Sequence, residues 1–74
     1  MARVKEFFPD ERSSSPHPTE VECGYQVVQN GGERLLQLST YGSDDRQSEK
    51  KVSQTIQLDA VGAAELVRII SETF

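Results

Sequence analysis

Residues 35–74 read LLQLSTYGSDDRQSEKKVSQTIQLDAVGAAELVRIISETF, and this stretch decides the fold. Val52, Gln54, Ile56 and Leu58 alternate with Ser53, Thr55 and Gln57. A period of two rich in β-branched residues reads as a half-buried strand. Asp59 follows at once, placed to cap the free backbone N–H groups of a helix beginning at Ala60 and to sit at the positive end of its dipole. Ala63, Leu66, Val67, Ile70 and Phe74 then recur at spacings of three and four, the apolar stripe of an amphipathic helix expected to face the sheet. Glu65, Arg68 and Glu72 are spaced for ion pairs on the other side. Gly62 is the poor helix former in this run, at about 1 kcal/mol relative to alanine.

Upstream, residues 21–28 alternate again, with Val21, Cys23, Tyr25 and Val27 on one face. Asn30–Gly31 or Gly31–Gly32 supplies the positive φ angles of a tight hairpin turn. Either two-residue turn sets Cys23, Tyr25 and Val27 on the same face as Arg34, Leu36 and Leu38 of a second strand over 35–41. On this reading Cys23 is a small buried hydrophobe rather than a reactive thiol, because no base or cationic helix end stands near it in sequence. Residues 42–51, GSDDRQSEKK, form a polar loop. The expected fold is α+β: an antiparallel sheet of three or four strands followed by one C-terminal helix packed on one face.

Residues 21–74 thus make the domain, and residues 1–20 an N-terminal arm and Ser/Pro linker. Residues 3–8, ending in Phe7–Phe8, read either as a first strand or as an arm. The following DERSSSPHPT has two prolines, three serines and no apolar residue, the mark of a linker. His17 between those prolines reads as a solvated loop residue.

With 74 residues the chain has room for one domain and a small core. Small scaffolds make up the deficit with disulfides, metals or oligomerisation. One cysteine excludes an internal disulfide, and His17 with Cys23 is too little for structural zinc. Oligomerisation remains, with a homodimer as the expectation. Ile69, beside the main helix stripe, adds apolar surface for it. The net charge of −4 gives no general attraction to polyanions or anionic membranes. No apolar run has the length of a signal or membrane-spanning segment, and a single cysteine points to an intracellular, cytoplasmic protein.

Catalytic signatures are thin. Asp44–Asp45 lacks the further ligands a magnesium site wants, Gly31–Gly32 lacks the spacing of a phosphate loop, and no serine has a histidine placed to activate it. The expectation is a non-enzyme without cofactor. The candidate surface is instead the second sheet face, displaying Gln26, Leu35, Gln37, Ser39 and Tyr41 with Ser53, Thr55 and Gln57. It is polar yet almost uncharged, and suits hydrogen bonding to nucleobases, a ligand or another sheet. Arg34, Arg46, Lys50 and Lys51 are the candidate phosphate-gripping rim around it, with Tyr41 as a stacking platform.

The order of strand, charged loop, strand and helix in LQLSTYGSDDRQSEKKVSQTIQLDAVGAAELVRII resembles the positive-cofactor-four type of transcriptional coactivator and its bacterial relatives. Lys50–Lys51 is similar to that family's basic loop, and IQLDAVGAAEL to its strand-to-helix junction. The family itself is more basic and richer in aromatics. The resemblance implies a curved four-stranded sheet with one helix, two copies pairing to hold single-stranded DNA or RNA. The alternative is a protein-interaction module using the neutral face or an open sheet edge.

Overall fold

A computed structural model describes residues 1–42 and 51–74. Four strands, β1 (Ala2–Arg3), β2 (Cys23–Asn30), β3 (Glu33–Tyr41) and β4 (Val52–Leu58), precede one helix, α1 (Ala60–Thr73). The strands form one sheet in the order β1-β4-β3-β2. The α+β sheet-plus-helix architecture is therefore the one read from the sequence, with one correction: the sheet is mixed. β1 runs parallel to β4, Ala2 opposite Ile56 and Arg3 opposite Gln57. A parallel neighbour needs a long connection, and here it runs through residues 4–51, residues 4–22 carrying the chain from the β1 edge of the sheet to the β2 edge. Of the two readings of residues 3–8, strand or arm, the strand is confined to Ala2–Arg3, extended by the bond from Val4 N–H to the Gln57 carbonyl (2.9 Å).

The β2–β3 hairpin turns on Gly31–Gly32, at φ 55° and 87°. Those successive positive angles define the twist-matched type I′ turn, which glycine adopts without steric cost. The turn sets Asn30 opposite Glu33, and hence Val27 opposite Leu36, Tyr25 opposite Leu38 and Cys23 opposite Thr40. β4 continues the pattern with Leu58 opposite Leu36 and Ile56 opposite Leu38. Parity breaks once. Thr40 faces Gln54 but Tyr41 faces Val52, so Ser53 is the extra residue of a β-bulge.

Asp59 is extended, and its carboxylate accepts from Gly62 N–H at 2.8 Å while its carbonyl accepts from Ala63 N–H at 2.9 Å. This is the cap expected from the sequence. The helix touches β3 and β4, yet none of its residues is buried. Its half-buried residues include Gly62, Ala63, Leu66 and Ile69, whereas Val67, Ile70 and Phe74 face outward. The stripe expected to meet the sheet is thus split lengthwise, and half of it is left open. Cys23, expected inside, is exposed for a related reason: among the described residues no element covers its end of the sheet face. Among the described residues the buried hydrophobic core consists of Leu58 (1% exposed) and Leu35 (4%).

Candidate interaction surfaces

The polar face forms as the parity argument expects, apart from Ser53. Gln26, Gln37 and Gln57 lie in one cross-strand row, and Ser39 lies beside Thr55. Gln57 donates its amide to the Gln37 side-chain carbonyl (2.9 Å), and the Ser39 and Thr55 hydroxyls share a hydrogen bond at 3.2 Å. Ser39 is buried although polar, and its hydroxyl is satisfied by Thr55. Such pairing holds the amides and hydroxyls in a fixed pattern, which is what orders a hydrogen-bonding surface. Ser53, displaced by the bulge, instead bonds to the Thr40 hydroxyl at 2.8 Å.

Tyr41 does not stand free above this face. Its ring lies over Gly24, so near that a Cβ there would approach Cε2 to 3.2 Å. An aromatic laid across a strand glycine covers the backbone that the missing side chain leaves bare. One ring face is therefore spent on the sheet itself.

Of the four candidate rim residues, the two that the structure describes, Arg34 and Lys51, lie at opposite ends of the sheet. Arg34 is exposed near the turn end of β3 and pairs with Gln29 on the opposite, apolar face. Lys51 is exposed at the other end, where its carbonyl accepts from Gly42 N–H at 3.0 Å. The intervening strand spans about 26 Å at roughly 3.3 Å per residue. Arg46 and Lys50 lie outside the described residues. Sequence reasoning missed Arg3, which β1 brings beside Gln57. Its guanidinium bonds Glu33 at 2.7 Å and approaches the Asp59 carboxylate at 3.5 Å, tying the hairpin end to the helix cap. The Gly62 N–H bond, aided by Arg3, holds the Asp59 carboxyl below the usual aspartate range. On the helix, Arg68 pairs with Glu65 and with Glu72, and the first of these pairs lowers the Glu65 pKa.

The other sheet face is the larger finding. Tyr25 (79% exposed), Val27 (58%) and Ile56 (40%) lie there with Leu36 and Leu38, open to solvent. On the helix, Val67 (62%), Ile70 (48%) and Phe74 (100%) are likewise bare. Between sheet and helix an apolar cleft of about 230 Å³ is lined by Val27, Leu36, Leu58, Ala60 and Ala63. Ile69 is not part of this surface. It borders a separate cleft of about 390 Å³ with Phe7, Phe8 and Pro9, so the N-terminal arm lies against that side of the helix.

Among the described residues no three His, Cys, Asp or Glu side chains come together as a metal cluster, and no helix is long and apolar enough to cross a membrane. Comparison with known proteins finds no matching family model, no matching curated protein and no matching solved structure.

Proposed function

We propose that this chain is a non-enzymatic association domain whose apolar sheet face and outer helix stripe are covered by a second copy. The carrying observation is the uncovered apolar surface. A folded monomer of 8.3 kDa has an accessible surface of about 4,600 Å² by the usual size scaling, and this chain has 6729 Å². The excess is about 2,100 Å², and Tyr25, Val27, Val67, Ile70 and Phe74 are among the exposed apolar side chains that contribute to it. A stable dimer needs roughly 600–1,000 Å² from each copy. Isolated apolar side chains on a surface need no explanation, but a contiguous patch on two adjoining elements marks an interaction site.

Sedimentation over a hundredfold range of protein concentration tests the reading. Dimer is expected, weakened by Val67→Lys or Ile70→Lys. Both residues are exposed in the protomer, so each change leaves its fold intact. A wild-type chain that stays monomeric throughout would end the proposal.

A second reading, single-stranded nucleic-acid binding by the resulting dimer, is favoured by the uncharged hydrogen-bonding pattern of Gln37, Gln57, Ser39 and Thr55. That face is not the one assigned to association, and its half-buried Gln37, Thr55 and Gln57 are the groups left to reach a ligand, Ser39 being buried. Lys51 is the exposed cation at the β4 end of it. Titration of a labelled oligonucleotide at two salt concentrations decides this reading. Each phosphate neutralised contributes a slope of about −0.7 in log affinity against log salt on a single strand. Lys51→Gln should flatten the slope, and absence of binding at low salt removes the reading.

A further inference from the structure

We infer that two copies join through the outer edge of β2, antiparallel and in a register centred on Gln26. This rests on the self-association reading and adds a second contact to it, because edge pairing lengthens the sheet and leaves the apolar face and helix stripe to be covered separately. Among the described residues β2 is the terminal strand of the sheet and pairs with β3 alone. The opposite edge, β1, has two residues, whereas β2 offers eight, CGYQVVQN, with no charge and no proline. The one register shift lies in the β3–β4 ladder, so no bulge interrupts β2. Natural sheet edges of this length are ordinarily blunted by lysines, prolines, bulges or a covering element. Cys23, Tyr25, Val27 and Gln29 are all exposed, and among the described residues no element covers this edge.

The hydrogen-bond phase of the hairpin fixes which residues a second strand would meet. Tyr41 N–H donates to the Glu22 carbonyl at 3.0 Å, and the turn is closed by Asn30 and Glu33. Antiparallel partners alternate between bonded and non-bonded pairs. The even positions of β2 therefore bond inward to β3, and Cys23, Tyr25, Val27 and Gln29 turn their N–H and C=O groups outward. In a two-fold pairing, outward groups must meet outward groups, so the axis passes through a residue rather than between two. Placing it at Gln26 sets Cys23 opposite Gln29 and Tyr25 opposite Val27 of the second copy. This register engages all four outward residues of each copy, and shifting the axis to Tyr25 or Val27 leaves one of them unmatched. It also stacks an aromatic on a β-branched side chain twice on the apolar face, a favourable cross-strand pair. The two apolar faces then become one continuous surface. Because β2 carries no charge, the net −4 of each copy does not concentrate at the seam.

Three measurements test the inference together. Amide exchange at Tyr25 and Val27 is expected to slow at least tenfold between the lowest and highest protein concentration, while the amides of Gln26 and Val28, already bonded to β3, change far less. Gln26→Cys in a Cys23→Ser background places two thiols across the axis at a non-bonded pair. Its Cα separation, about 4.5 Å, falls within disulfide range. Oxidation should give a covalent dimer, and the control Val28→Cys in the same background should not. Val27→Lys should abolish the dimer and leave the monomer's circular dichroism unchanged. A dimer by sedimentation with no protection at Tyr25 and Val27 and no Gln26→Cys cross-link overturns the edge pairing while sparing self-association. A monomer at every concentration overturns both.

Discussion

Leu58→Ala is the change that most directly tests where this protomer's stability resides. Leu58 is 1% exposed and joins the last strand to the helix. Its Cδ2 lies 3.8 Å from where a Cβ on Gly62 would sit, so it fills the corner where the helix leaves the sheet. Truncation to alanine removes three carbons, about 2.4 kcal/mol at roughly 0.8 per buried methylene. The cavity left behind raises the cost, and measured Leu→Ala changes run to about 5 kcal/mol. A domain of 74 residues has about 4–11 kcal/mol in total at 0.05–0.15 per residue. The variant should therefore lose a large part of its stability, and at the low end of that range it should be unfolded. Urea unfolding followed by circular dichroism measures it, with protein concentration held fixed because association would move the midpoint. With a slope near 1 kcal/mol/M for a chain this small, the midpoint should fall by about 2 M or more. Val61→Ala, on a side chain 80% exposed, is the control and should stay within about 0.5 kcal/mol. Equal effects from the two substitutions would refute a stability centred on Leu58.

Gly32→Ala places a Cβ at φ 87° and should destabilise the hairpin by about 1–2 kcal/mol, measured by the same urea titration. Gly24→Leu should push the Tyr41 ring off the strand, seen as a loss of near-ultraviolet tyrosine dichroism with the far-ultraviolet spectrum retained. Asp59 has a lowered pKa in the folded state, so the stability it contributes is present above the unfolded aspartate pKa. That contribution fades as pH falls through the folded value. Asp59→Asn should accordingly flatten the acid limb of the stability–pH curve between those two pKa values. Arg68→Gln should leave the thermal midpoint unchanged, because its partners Glu65 and Glu72 are exposed enough for solvent to screen both pairs.

The strand Val52–Leu58, the cap at Asp59, the helix start at Ala60 and the glycine turn were all legible in the sequence. Each rests on local physics: a period of two, a side chain within reach of its own helix's N–H groups, or a backbone angle that glycine reaches freely. That Gln37, Ser39, Thr55 and Gln57 share a face followed from the same parity, whereas which of them pair across β3 and β4 did not, because a ten-residue connection fixes no register. The bulge at Ser53 was not legible, since one extra residue beside a ten-residue loop changes the register without altering the alternation on either side. Arg3 was missed because a parallel strand of two residues carries no periodicity. Its role depends on Gln57, Glu33 and Asp59, which are distant in sequence. The orientation of the helix was likewise beyond reach of the pattern. An apolar stripe says that a surface will be covered, and it does not say by what. Only the tertiary structure separated Leu66 and Ile69, which lie inward or against the arm, from Val67, Ile70 and Phe74, which do not. The same distinction exposes Cys23 and Tyr25: their alternation marks one face of a strand, and whether that face is buried depends on what packs against it.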